Sequence, residues 1–416
     1  MRIASRCFNT LVIGIIDTMK IKFSFYLYIF LWTVYSLQGT LYSHGSVISV
    51  ASLALVMVLS IYYYCYVNVR YKLPAPLKIL SVLVGIWTLY GLEPILSRNG
   101  QSAFLVQPFS YLKSIYMSLL PVYAFYFFTK KGIITEDSLR RLFMLFLVLA
   151  IFSFYDYRAT ALNAVVGDRE EVTNNAGYVV VSLLPLIPVF WRRPFWQYTL
   201  LGICLVFVLI GMKRGAIIAG ALSAIWIISN SFRQARSVGK RKRWRNVLVR
   251  VVATIAVVSV VVYAIQYMLT TSDYFNWRLE NTIEGNYSGR EVMYDAYFNW
   301  FMSQDGVLRI LFGNGANATL RYFSNFAHND WLELLIDNGV IVTLLYAAYW
   351  LTMIAMLLRG KYGSTPMLML GCFVIIYLLK TVVSMSYNST TVYAACAIGY
   401  VFVNYQYREG NTSNCV

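Results

Sequence analysis

The sequence predicts an all-α, polytopic integral membrane protein, and three observations carry that prediction. Of 416 residues, 59% are hydrophobic and only 13% are charged, too little polar surface to cover a water-soluble domain of this size. The mean hydropathy is +0.60, and apolar runs recur along almost the whole length. Each run is about 17–25 residues long, enough to cross a ~30 Å hydrocarbon core as a helix. The charge is lopsided as well: 35 Lys and Arg against 18 Asp and Glu give a net charge of +17.

About twelve spans are expected, at 22–39, 44–67, 77–92, 108–129, 142–156, 176–191, 195–212, 215–231, 248–269, 339–358, 364–384 and 388–405. With the N-terminus inside, the inner segments hold Arg70 and Lys72, then Lys130, Lys131, Arg140 and Arg141, then Arg192 and Arg193. The densest run, from Arg233 through Lys240-Arg241-Lys242-Arg243 to Arg250, falls inside too, and twelve spans return the C-terminus to the same side. Acidic residues collect on the other side, in 157–175 and 270–338. This is the positive-inside pattern, so the basic cluster reads as a topology anchor on anionic lipid headgroups. A nucleic-acid partner is not needed to explain it.

Six cysteines (Cys7, Cys65, Cys204, Cys372, Cys396 and Cys415) are scattered without CxxC or metal spacing, which supports neither a disulfide framework nor a zinc site. The first twenty residues combine a basic start with a short apolar patch from Leu11 to Ile16 and no convincing cleavage site. They read as a cytoplasmic or interfacial lead-in. The chain is therefore expected to form one membrane domain over 1–416.

Chemistry has one roomy place to sit, the polar segment at about 270–338. Within it Val292, Met293, Ala296, Tyr297 and Trp300 recur at helical spacing, which suits a helix lying in the interface with its aromatic side in the headgroups. Gly285-Asn286-Tyr287-Ser288-Gly289 and Gly313-Asn314-Gly315 punctuate the segment. Gly313 and Gly315 lack the third glycine and preceding strand of a dinucleotide fingerprint, so they read as a turn.

Two cationic features stand out. Lys213-Arg214-Gly215 interrupts an apolar stretch from Tyr198 to Ile228. The two helices sharing it have about 15 strictly apolar residues each, about 23 Å against a ~30 Å core. The turn is either a tight hairpin whose cations snorkel to water or a cationic pocket for an anionic headgroup. Arginine suits a phosphate because its planar fork donates two hydrogen bonds at once. The second feature is Arg290, in the large loop on the same side.

His328 is one of two histidines in the chain. It opens a helical pattern in which Asn329, Glu333 and Asp337 share a face while Trp331, Leu332 and Leu335 form the apolar side. The strictly apolar run begins at Gly339, so a straight helix would hold His328 about 16 Å beyond it, at the outer interface. An imidazole that titrates near neutrality is a natural general base for a hydroxyl nucleophile. Lys213, Asn329, Asp330 and Glu333 are the accompanying candidates for substrate binding or for orienting His328. His44 reads as an interfacial residue, and Asp168, Glu170 and Glu171 as a solvated run. Glu280, Glu284, Glu291 and Asp295 have no metal-specific spacing, so no metal or other cofactor is expected. The Asn-x-Ser/Thr triplets at Asn286, Asn317, Asn388 and Asn411 are too short to carry an inference.

These residues carry a resemblance. His328-Asn329, nine residues, then Gly339, together with Lys213-Arg214-Gly215 at a helix junction and Ser288-Gly289-Arg290 in the loop, look like the motifs of the bacterial O-antigen polymerase and O-antigen ligase superfamily. The topology resembles that family over nearly the whole chain, and the motifs over 213–218, 287–294 and 312–342. The resemblance implies a metal-independent, inverting glycosyltransferase of the GT-C type in the bacterial inner membrane, with its active site at the periplasmic face. Its donor would be a glycan on undecaprenyl diphosphate. Arg214 and Arg290 would bind the diphosphate and stabilise its departing charge, and His328 would take the proton from the acceptor hydroxyl. Tyr294, Tyr297, Trp300 and Trp331 would either stack on sugars or anchor the interface.

Within that family the sequence leans toward the polymerase. Ligases tend to carry Gly, Thr or Tyr three residues past the motif glycine, where this chain has Val342, and Leu four residues after the junction arginine, where it has Ile218. A polymerase passes the growing glycan to another lipid-linked repeat unit, and a chain-length regulator is then an implied partner. A ligase passes the glycan to lipid A-core. A flippase of lipid-linked glycans is the alternative of another class. It would show polar residues along several spans and internal repeats, whereas here Lys113, Asp156 and Lys380 are the few doubtful cases.

Overall fold

A computed structural model of the chain describes residues 2–96, 108–163, 176–236, 240–271, 276, 280, 290–361 and 363–405. The described residues are mainly helical, with no strand among them and only an isolated bridge between Gln38 and Tyr42. The helices are α1 (Arg2–Ser36), α2 (Val47–Arg70), α3 (Ala75–Leu96), α4 (Pro108–Leu119), α5 (Pro121–Lys130) and α6 (Glu136–Asn163). Next come α7 (Ala176–Val181), a 3₁₀ segment (Leu184–Phe190), α8 (Pro194–Ile210), α9 (Arg214–Arg236) and α10 (Lys240–Thr271). The chain closes with three short helices, α11 (Arg290–Met302), α12 (Val307–Phe312) and α13 (Ala318–Phe323), and then α14 (Asp330–Arg359), α15 (Thr365–Val383) and α16 (Val392–Asn404).

Among the described residues seven helices are long and apolar enough to cross a membrane: α2, α3, α6, α9, α10, α14 and α15. Each corresponds to one expected span, and their length and composition are those of a polytopic membrane protein. The expected span at 22–39 falls mostly in α1, which ends at Ser36, and the other four are short or broken. The run 108–129 is split between α4 and α5 because Pro121, at the start of α5, cannot donate to a continuing helix. The run 176–191 becomes one turn of α7 and a 3₁₀ segment around Pro185 and Pro188. Helix α8 has 17 residues and α16 only 13. The side chains from Val392 to Phe402 on α16 are all buried, so that helix is enclosed by its neighbours.

The core is aromatic, and some of its hydroxyls pair with serines on neighbouring helices. Tyr28 meets Tyr63 edge-on at 6.2 Å and Phe125 at 6.0 Å. Its hydroxyl shares a 2.8 Å hydrogen bond with Ser60, and that of Tyr123 shares one of 2.8 Å with Ser81. In an apolar surround an unmatched hydroxyl is costly, so Ser–Tyr pairs of this kind tie helices together.

The bundle has two chemically different ends. At one end Arg140 donates to the Val189 carbonyl at 3.0 Å, and Arg250 donates to Ser231 at 2.8 Å. The same end carries the tips of α2, α5 and α14 with Arg70, Lys130 and Arg359. At the other end α9, α11 and α14 begin and α15 finishes. Here α14 is not the straight helix expected from its spacing. Gly339 has φ 75° and ψ −178°, a conformation open essentially to glycine alone, and it separates residues 330–338 from the apolar length that follows. The expected turn at Gly313 and Gly315 is present, both with positive φ (75° and 95°), and it packs directly on the kink.

Candidate functional site

Four chain segments meet at the second end. Helix α9 opens at Arg214, immediately after the turn at Gly211, Met212 and Lys213. That turn sits hard against α7: a Cβ on Gly211 would lie 2.8 Å from Gly177 Cα, so the two backbones touch. A Cβ on Gly215 would run into the Tyr178 hydroxyl and lie 2.8 Å from Val383 Cγ2. From another direction Arg290, the first residue of α11, donates to the Val383 carbonyl at 3.0 Å. Val383 is thus the common neighbour of the Arg214-Gly215 corner and of Arg290. The fourth segment is the start of α14, where the Trp331 indole N–H donates to Thr381 at 3.0 Å.

His328 stands at the head of α14, half-buried, with φ 52°. Burial pushes its imidazole below the ordinary value, and Arg290 and then Lys213 push it further the same way. Of the sequence candidates, His328, Arg290 and Lys213 are therefore close enough to feel one another's charge, and Arg214 adjoins them. The Ser288-Gly289 part of the loop motif lies outside the described residues, as do Asp168, Glu170, Glu171 and Glu284.

The remaining candidates take structural positions around His328. Asn329 caps α14, its side-chain oxygen accepting from Trp331 N at 3.0 Å and Leu332 N at 3.3 Å. Asp330 and Glu333 do not line open space, since both are fully buried. Asp330 accepts from the Ser386 and Tyr387 amides at 2.7 and 3.2 Å and from the Tyr346 hydroxyl at 2.6 Å. Glu333 accepts from the Ala327 amide at 2.6 Å and from the Thr319 hydroxyl. Asp337, also fully buried, accepts from the Thr319 amide at 3.0 Å. Three carboxylates at i, i+3 and i+7 thus hold the loops on either side of His328. Behind Asp330 lies a cavity of about 20 Å³, walled by Trp87, Tyr346, Trp350 and Tyr387; that is about the space of one water.

Two side chains that were not among the site candidates read from the sequence belong to this end. Lys380 is buried, donates to the Ser389 carbonyl and hydroxyl at 3.0 and 2.7 Å, and lies 5.1 Å from the centre of the Tyr178 ring. A lysine inside an apolar run was the available signal. Thr319, which bridges Glu333 and Asp337, had none, because its partners lie 14 and 18 residues away. The aromatic side of α11 also faces elsewhere than expected. Tyr297 stacks on Phe323 at 4.0 Å and donates to the Asn325 carbonyl at 3.0 Å, while Val292, Phe298 and Met302 are exposed. His44 is bonded to Asp156 at 3.1 Å.

Among the described residues no group of three or more His, Cys, Asp or Glu is placed to hold a metal ion. What the arrangement offers is an imidazole held neutral at neutral pH beside a cluster of cations. The direction of its shift makes a prediction. A ring with a lowered pKa stays neutral until the solution is acidified past that value, below about 6.5. Replacing Arg290 with Gln removes one of the causes, so the His328 midpoint is expected to move upward, toward 6.5. Histidine NMR of the labelled protein in nanodiscs reads this directly, and a midpoint that stays put would remove Arg290 from the ring's surroundings.

No protein-family model matches the chain, and no curated protein matches it.

Proposed function

We propose that the protein is a membrane glycosyltransferase of the O-antigen polymerase type. It would transfer a growing glycan from undecaprenyl diphosphate onto a lipid-linked repeat unit. The observation that carries this reading is the meeting of His328 with Lys213, Arg214 and Arg290 at one end of a membrane bundle. Cations there suit a diphosphate, and a neutral imidazole suits proton removal from a sugar hydroxyl. The hydroxyl oxygen attacks the anomeric carbon, the bond to the diphosphate oxygen breaks, and the proton passes to His328. The arginines take up the charge that develops on the leaving diphosphate.

On this reading the His328 end faces the periplasm and the arginine-rich end faces the cytoplasm, in the bacterial inner membrane. The twelve-span, GT-C-like topology, with both termini inside, belongs to the same proposal, as does a chain-length regulator as partner. Val342 and Ile218 favour the polymerase over the ligase.

The test uses the purified full chain in detergent with undecaprenyl-diphosphate-linked repeat units as the only glycan. A ladder of lipid-linked products is the expected result. Transfer that needs added lipid A-core would make the protein a ligase. Binding of the lipid without transfer to either acceptor would overturn the enzyme reading in favour of transport.

A further inference from the structure

Burying three carboxylates on one face at the mouth of a membrane helix is expensive unless each is matched. Matching alone does not explain the choice of partners. Asp330 grips the 386–387 backbone, Asp337 grips Thr319, and Glu333 reaches back to Ala327, the residue immediately before His328. His328 itself has φ 52°, a left-handed backbone that a side chain other than Gly adopts at some cost. The Ala327 amide lies one peptide from that strained position. A bond from Ala327 N to a carboxylate rooted in α14 sets where the left-handed residue begins, while the Asn329 cap sets where it ends.

We propose that Glu333 is a positioning residue for His328, acting through the backbone N–H of Ala327 and the hydroxyl of Thr319. It fixes the direction in which the imidazole leaves the chain, toward Lys213 and Arg290. Thr319 shares the task, because its hydroxyl occupies the other carboxylate oxygen and its own amide is held by Asp337. The charged groups packed around this corner are Lys213 and Arg214 at the head of α9, Arg290 on α11, Arg321 on α13, Asp330, Glu333 and Asp337 on α14, and Lys380 on α15.

The geometry separates the bonds of Glu333 from its ionisable carboxyl. Glutamine at 333 keeps an oxygen for the Ala327 amide and can donate its NH₂ to the Thr319 oxygen, so Glu333→Gln removes the ionisable group and keeps both contacts. Glu333→Ala removes both contacts. Loss of a nearby negative charge by itself can only lower an imidazole's pKa. An upward shift therefore reads movement of the ring out of its buried place beside Arg290 and Lys213.

The experiment uses the full chain in nanodiscs with His44→Gln, which leaves His328 as the single histidine. The His328 titration by NMR and the kinetics on lipid-linked repeat units are read for the parent, Glu333→Gln and Glu333→Ala. The glutamine variant is expected to keep turnover within a few-fold and the titration at or below the parent's. The alanine variant is expected to lose on the order of 10²-fold in kcat with KM little changed, as a misplaced catalytic group does, and to raise the His328 midpoint. If Glu333→Ala does not fold, Thr319→Val removes one of the two contacts and is expected to shift the midpoint in the same direction by less. An alanine or valine variant that leaves the midpoint and kcat at the parent values overturns the proposal, and so does a glutamine variant as damaged as alanine. The kinetic arm rests on the polymerase reading, whereas the titration does not. A parent that makes no product while its variants still shift the midpoint would sink that reading and leave Glu333 in its role.

Discussion

Replacing His328 with Ala or with Asn is expected to abolish the ladder of lipid-linked products while leaving the protein folded. The expected loss in turnover is on the order of 10²–10⁴-fold, the range for removing a general base. Two variants are needed because the residue has φ 52°. Asn tolerates left-handed backbone better than most residues, so a loss shared by Asn and Ala reports the missing imidazole and not a rearranged corner. Retention of the donor lipid by both variants, measured by binding, would show that the cations still hold the diphosphate without the base. Turnover within about tenfold of the parent in either variant would exclude His328 as the base, because that is less than general-base catalysis supplies.

The legible part of the fold is the part that hydropathy acts on over long distances. Helices α2, α3, α6, α9, α10, α14 and α15 follow the expected spans because 18 or more apolar residues have few alternatives to a crossing helix. The segments 108–129 and 176–191 look the same by hydropathy, yet prolines at 121, 185 and 188 divide them. Their freed backbone groups are tolerable only inside protein, and enclosure is a tertiary property that a single run does not display. The site divides the same way. His328, Arg214 and Arg290 are legible because a charged or titratable group at a helix end near a membrane is conspicuous. The meeting of Arg290 with the Arg214-Gly215 corner at Val383 is not legible, since Arg290 reaches that carbonyl across 93 residues. Asp330 and Glu333 are visible in the sequence as carboxylates just after His328, and the expectation is that they bind substrate or orient His328. Only the three-dimensional arrangement shows them turned inward onto the amides at 327, 386 and 387.

The spacing of His328 and Gly339 has its physical reason in the kink, which leads to the largest structural effect expected of a single methyl group. A Cβ on Gly339 would lie 2.5 Å from Gly313 N and from the carbonyl carbon and oxygen of Leu311. Gly313 is the mirror case: it has φ 75°, and a Cβ there would lie 2.5 Å from Asn338 N. The loop and the kink are built against each other with no room for a side chain on either. Breaking α14 also frees carbonyls that a continuous helix would use. They are taken up by the loop, with Asn314 N donating to Ile336 O at 3.1 Å and Gly315 N to Asp337 O at 2.9 Å. Gly339→Ala therefore combines a backbone penalty of about 1–3 kcal/mol with displacement of the loop that carries Thr319 and, further on, His328. Gly132 supplies the comparison, because it has φ 71° but nothing within 4 Å of its Cβ position. Gly132→Ala is expected to lower the thermal midpoint modestly and to leave turnover intact. Gly339→Ala is expected to lower the midpoint much further and to abolish turnover even where it still folds. Equal midpoints for the two variants would mean that the contact between kink and loop adds nothing beyond backbone strain. Residues 330–338 would then not owe their inward-facing carboxylates to it.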